Sequence, residues 1–178
     1  TDNGHIIASY HTGKVIATGT NPQVGGIVAQ SDHNLVYGAY YNKDFLTPTI
    51  CRMKVQAPRL AAAAQPGQFL IVRADEKGER VPLTISDYDR EAGTVTIVTQ
   101  MIGASSSEIC SFGCGDSFAD VAGPLGRPSD FCALSPEALA SERYVFIAGG
   151  VGTAPVYPQA KWLHDRGVAV DVIVGARN

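Results

Sequence analysis

A six-stranded antiparallel β barrel followed by an incomplete Rossmann-like β/α lobe is the fold class that this sequence predicts. Three observations lead there. Short apolar stretches recur from Leu35 to Ala122, separated by turn residues and without a helical period between them. Beyond Arg143 the pattern becomes a continuous apolar run, a glycine loop, a helical stretch and a second apolar run, a β-α-β unit that feeds a parallel sheet. The chain then stops, whereas a doubly wound domain needs several more strands and helices. The expected division is an N-terminal appendage over 1–33, the barrel over 34–127 and the start of a nucleotide-binding domain over 128–178. With no initial methionine, a truncated or processed chain is expected.

Composition narrows the function classes. Of the 178 residues, 45% are hydrophobic and 17% charged, which suits an ordinary globular chain rather than a disordered one. The net charge of −3 and the lack of a lysine or arginine run argue against a nucleic-acid partner. No apolar stretch approaches the roughly 18–20 residues that span a bilayer, so no membrane role and a cytoplasmic location are expected. Cys51, Cys110, Cys114 and Cys132 form no Cys-x-x-Cys pair; scattered thiols are expected, with half a metal site at Cys110 and Cys114 the less favoured reading.

Taken in order, His5–Tyr10 and Lys14–Thr18 read as two short strands, and His5, His11 and His33 as surface histidines. Leu35–Tyr41 is an aromatic-rich strand. Ile50–Ala57 sets Ile50, Arg52 and Lys54 on one face and Cys51, Met53 and Val55 on the other, until Pro58 stops it. Gln65-Pro66-Gly67 breaks the chain before the strand Gln68–Ala74, and a polar hairpin at Glu76–Glu79 leads into the next. Thr94–Met101 and Ser117–Ala122 complete the six. Residues 127–143 read as a connector. Tyr144–Ala148 and Val168–Gly175 are buried strands, with a helix over Val156–Arg166 that Gly167 ends.

The stretch from Glu79 to Asp89 carries a fixed cation, a proline and a hydroxyl close together. Proline removes a ladder donor, so this strand should be an edge or a strand start with backbone open to a ligand. Arg80 would grip a phosphate with its planar fork while Thr84 offers a hydroxyl; an ordinary strand with a surface arginine is the other reading. In Gly103–Glu108 the serines cap a short helix, Glu108 completes a capping box, and the free amides suit a phosphate as well. The loop Gly149–Pro155 follows a buried strand and opens a helix. Its glycines allow close approach to a pyrophosphate and Pro155 fits the first helical turn, though a plain tight turn has the same outline.

Five motifs stand in order: Ala57-Pro58-Arg59, Pro66-Gly67-Gln68-Phe69, Arg80-Val81-Pro82-Leu83-Thr84-Ile85-Ser86-Asp87, Gly123-Pro124-Leu125-Gly126 and Ala148 to Pro155. Together they resemble the ferredoxin–NADP reductase superfamily. The likeness is strongest to its branch of dihydroorotate dehydrogenase electron-transfer subunits, sulfide dehydrogenase β subunits and the small subunit of NADH-dependent ferredoxin:NADP oxidoreductase, and it covers Leu35 to Asn178.

The resemblance implies a flavin-binding barrel with FAD as cofactor, NAD(H) or NADP(H) as the dinucleotide, and Thr84 at the reacting centre. By position, Arg80 would hold the FAD phosphates and Pro82, Leu83 and Thr84 would line the flavin, with Leu83 where many relatives stack a tyrosine. Val98, Thr99 and Gln100 would follow the ring or ribityl side, Ser105 and Ser106 the pyrophosphate, and Gly150, Gly152 and Thr153 the dinucleotide. Arg177, with no acidic residue at its strand end, favours a 2′-phosphate and NADP on general grounds. The resemblance itself leans to NAD(H). Implied partners are a larger flavoprotein or iron-sulfur subunit, with ferredoxin as an acceptor. The family's 2Fe-2S cluster belongs to the full-length members; its cysteine ligands are absent here. A nucleotide- or partner-binding module without turnover is the alternative.

Overall fold

The computed structural model describes residues 39–175. The expected N-terminal strands, His5, His11 and His33, and Arg177 all lie outside the described residues. The six barrel strands are β1 (Ala39–Thr47), β2 (Ile50–Gln56), β3 (Phe69–Arg73), β4 (Arg80–Asp89), β5 (Thr94–Gln100) and β6 (Asp120–Leu125). They form one antiparallel sheet in the order β1-β2-β5-β4-β3-β6. Strand β1 lies later than the aromatic run at Leu35–Tyr41 because it pairs back on β2 through a tight turn, from Ala39 opposite Gln56 to Thr47 opposite Ile50. Likewise β6 is shifted past Ser117 so that Asp120 meets Arg73 and Leu125 meets Phe69 on β3.

Alternation decides which residues enter the core. Cys51, Met53 and Val55 of β2 are buried opposite Thr99, Ile97 and Val95 of β5, while Arg52 and Lys54 stay on the outer face. Leu70, Val72 and Ile85 complete this layer. One end is plugged by α1 (Pro58–Ala63), an element that the sequence reading left unassigned. Its signals are proline at the first helical position and an alanine run behind it. Leu60, Ala61 and Ala64 from this segment are buried in the core. The other end is covered by α2 (Ala104–Ser111), which buries Ile109 and Cys110. Lys43 Nζ donates to the Cys110 and Phe112 carbonyls, both at 2.7 Å, and so satisfies the open C-terminal end of α2 with a cation.

The second lobe consists of α3 (Pro136–Ser141), β7 (Tyr144–Gly149), α4 (Thr153–His164) and β8 (Val170–Gly175). The expected plain connector thus holds a capped helix: Ser135 Oγ accepts from the Ala138 amide at 3.3 Å. Strands β7 and β8 pair in parallel, and α4 begins three residues before the expected Val156. Helix α4 packs on β4, burying Pro158 and Leu163, and Lys161 Nζ donates to Asp87 Oδ1 at 2.8 Å. A second tie runs through Ser129, whose amide donates to the Pro66 carbonyl at 2.9 Å and whose hydroxyl meets Gln159 Oε1 at 2.8 Å.

Gly67 is forced by this tie. Its φ is +88° and a Cβ there would stand 2.5 Å from Ser129 Oγ. Gly67→Ala should therefore lower stability by about 1–3 kcal/mol, read as a lower urea midpoint with an unchanged slope. The hydrogen bond to Asp87 holds the Lys161 ammonium above its ordinary range. A raised base contributes fully below its unfolded value and loses that contribution as pH rises through the folded one. Lys161→Met should cost only about 0.2–1 kcal/mol at neutral pH, because the pair is partly exposed. The difference from wild type, measured by urea unfolding, should shrink above about pH 10.4.

Candidate functional site

The site is built on a change of partner within β4. Residues Arg80 to Thr84 pair only with β3, and Ile85 to Asp89 pair with β5. By sheet order β4 is an interior strand, yet its first half has one open side, as the proline required. The Ile85 amide donates to the Gln68 carbonyl at 3.1 Å. By antiparallel alternation Leu83 and Val81 then take the bonding positions with β3, while Pro82 and Thr84 turn their backbone to the open side. Pro82 thus costs no ladder bond. Val81 and Leu83 pack on the core, leaving Arg80, Pro82 and Thr84 on the other run of the strand.

Past the Ile85–Ile97 pair, β4 and β5 no longer pair, so Thr84 and Val98 flank the divergence. Val98 and Gln100 keep partial exposure. Thr99 is only 2% exposed and lies opposite Cys51; its side chain faces inward with an unpartnered hydroxyl. Helix α2 starts beside the start of β4, because Ser105 Oγ donates to Glu79 Oε2 at 2.5 Å. Ser106 Oγ accepts from the amides of Ile102 and Gly103, each at 3.0 Å, so the cap is made by Ser106 rather than by the expected Glu108. Arg80 Nη1 is paired with Asp120 Oδ2 on β6 and its side chain stays 55% exposed, leaving the remaining donors of its fork to solvent. That guanidinium holds the Asp120 carboxyl below its ordinary range.

A cleft of about 590 Å³ separates the barrel from the glycine loop. Its barrel wall includes Arg52, Lys54, Ser86, Asp87, Thr96 and Val98; its other wall includes Gly150, Val151, Thr153 and Tyr157. Val98, Gly150 and Thr153 are therefore brought together across one opening. Gly150 has φ +54°, and a Cβ at Gly150 or Gly152 would meet nothing within 4 Å, so the loop presents open backbone to a ligand. Gly150 to Gly152 form a tight turn that passes directly into α4.

Sequence reading gave no role to Ser86, although a register shift between Ile85 and Asp87 makes it the extra residue of a bulge. It is 4% exposed, its hydroxyl has no partner, and it lines the cleft. Among the described residues no cluster of His, Cys, Asp or Glu is arranged to hold a metal ion. Cys110 is buried and Cys114 exposed. Burial and the hydrogen bond that the Cys51 thiol donates to Cys110 push that thiol up to about 12. No helix among the described residues is long and apolar enough to cross a membrane.

No family model matches the chain. A Clostridium beijerinckii protein known as the uncharacterized protein in adh 3′ region is 55% identical over 137 residues, 77% of this chain and 46% of that protein. The dihydroorotate dehydrogenase B (NAD(+)) electron transfer subunit homolog of Thermotoga maritima is 37% identical over 126 residues, 69% of this chain and 41% of that protein. Among solved structures, the NADH-dependent reduced ferredoxin-NADP oxidoreductase matches with a TM-score of 0.71 at 31% identity, covering 82% of this chain and 50% of that one. Phthalate dioxygenase reductase matches with a TM-score of 0.61 at 20% identity, over 80% of this chain and 43% of that one, a likeness of fold alone. The chain spans about half the length of the curated relatives it matches. On this likeness of sequence and fold, the chain belongs to the ferredoxin–NADP reductase superfamily, as a homologue of dihydroorotate dehydrogenase B electron transfer subunits.

Proposed function

We propose that this chain binds FAD along the open side of β4 and passes electrons between a nicotinamide dinucleotide and a partner subunit. The observation that carries the reading is the one-sided first half of β4, where Arg80, Pro82 and Thr84 leave a guanidinium, unpaired backbone and a hydroxyl beside the start of α2. When bound, FAD supplies a ring that accepts a hydride and releases electrons singly. Arg80 holds the phosphates with the donors that Asp120 leaves free, and Ser105 and Ser106 meet the pyrophosphate at the start of α2. Pro82 and Thr84 fix the ring through the open backbone edge, with the Thr84 hydroxyl at its polar side. Leu83 contributes by anchoring this run, since its backbone bonds β3 and its side chain packs on the core. Val98 and Gln100 border the ring or ribityl chain, and Thr99, turned inward and paired with Cys51, holds them in place from the core side. Gly150, Gly152 and Thr153 take the dinucleotide and hold it against the same cleft, so the residues supply proximity rather than acid or base.

NAD(H) is the preferred dinucleotide, supported by the NAD(+) in the name of the Thermotoga maritima homologue. The partner is a larger flavoprotein or iron-sulfur subunit, with ferredoxin as an acceptor, in the cytoplasm. A second reading is a nucleotide- or partner-binding module without turnover. It is favoured by the parallel pair β7–β8, which leaves Ile147, Val172, Ile173 and Val174 exposed although parallel sheets are normally covered on both faces.

The absorption spectrum of the chain after addition and removal of free FAD tests the reading. Retained, spectrally shifted flavin is expected, and Arg80→Ala should weaken retention by about 1.5–3 kcal/mol, tenfold or more in Kd. No retention by wild type sinks it. NADH oxidation with an artificial acceptor separates the two readings: turnover supports the first, flavin binding without turnover the second.

A further inference from the structure

The glycine loop is only one wall of its cleft. The facing wall is the outer surface of β2 and β5, and it carries charge. Arg52 and Lys54 both line the opening, two residues apart on the outer run of β2. The neighbouring cations are occupied. Arg52 is paired with Asp44 at 2.7 Å, Lys161 with Asp87 at 2.8 Å, and Arg90 with the Ala62 and Ala64 carbonyls. Lys54 has no partner among the described residues. Beside it the bulge at Ser86 sets a buried, unpartnered hydroxyl in the same opening. A donor held without an acceptor at 4% exposure is costly unless a ligand oxygen completes it. The rest of the lining is mixed: Ile50, Val98, Val151 and Tyr157 are apolar, Thr47 and Thr96 bring hydroxyls, and the Asp87 carboxylate is neutralised by Lys161.

The cleft therefore offers an ammonium and a hydroxyl beside apolar side chains, within the roughly 300–1,000 Å³ typical of ligand sites. This chemistry fits a phosphate attached close to a planar heteroaromatic ring. We propose that Lys54, supported by the Ser86 hydroxyl, binds the phosphate of the nicotinamide half of the dinucleotide, opposite Gly150 and Thr153. The inference rests on the reading that the glycine loop receives a dinucleotide, and it adds a residue from the barrel as the second side of that grip. A phosphate of FAD has the same chemistry, and the test tells the two apart, since FAD is assigned to Arg80.

The test is equilibrium dialysis of NADH against the FAD-loaded chain and of FAD against the flavin-free chain, for wild type, Lys54→Met, Lys54→Arg and Ser86→Ala. Lys54→Met should weaken NADH binding about tenfold, the loss of one charge-assisted contact, and leave the FAD Kd unchanged. Lys54→Arg should recover most of the loss, Ser86→Ala should weaken NADH by a smaller factor, and the Lys54→Met Kd should depend less on salt than that of wild type. Because Lys54 is exposed, its urea midpoint should match wild type, which removes misfolding as a cause. If Lys54→Met weakens FAD instead, the site belongs to the flavin and the inference fails. If wild type binds NADH and Lys54→Met binds it equally, the inference fails while the dinucleotide reading stands. If wild type binds FAD but no NADH, both fail.

Discussion

The bend in β4 is the constraint on which the site depends. One strand serves two neighbours in succession, β3 through Arg80 to Thr84 and β5 through Ile85 to Asp89. A strand paired on both sides throughout would have no backbone to offer, and Pro82 would break its ladder. The handover at Ile85 removes that conflict and creates the opening at once. Ile85, buried and opposite Ile97, is the pivot: the core holds the strand there while its two halves diverge.

The same bend places the second lobe. Just past the pivot, the bulge at Ser86 precedes the carboxylate of Asp87, which receives Lys161 of α4. That ion pair is partly exposed and weak by itself. The seating comes from Pro158 and Leu163, buried where α4 packs on β4, and from Ser129, which links the Pro66 turn to Gln159. Apolar burial supplies the adhesion, and the polar ties fix the angle at which Gly150 faces Val98.

Charge in the two halves of the site is handled differently. Arg80 is held by Asp120, a pair that keeps the guanidinium aligned while an exposed carboxylate is easily shared with solvent. Lys54 stands without such a counterion among the described residues. Arg52, its neighbour on the same face, is drawn aside by Asp44 across the β1–β2 hairpin. The buried thiols take no part in this chemistry. Cys51 lies beneath the sheet, where burial suppresses the thiolate that its reactivity would need.

Local chemistry in the sequence determined the strands and their faces. The alternation in Ile50–Ala57 separates Cys51, Met53 and Val55 from Arg52 and Lys54, and the structure buries the first set and exposes the second. Pro82 marked a strand with a free side, and Gly149 to Pro155 marked a strand-loop-helix turn; both follow from backbone rules that act within a few residues. What escaped the sequence acts over long separations. Thr99 shares the face of Val95 and Ile97 by alternation alone, but Glu108 yields its cap to Ser106 because of how the chain enters α2. Ser86 and Lys54 lie far apart in sequence and were silent there. Only the packing of α4 on β4 made the outer face of β2 the wall of a cleft, because which surfaces meet is decided by burial of the whole core and not by the period of any one strand.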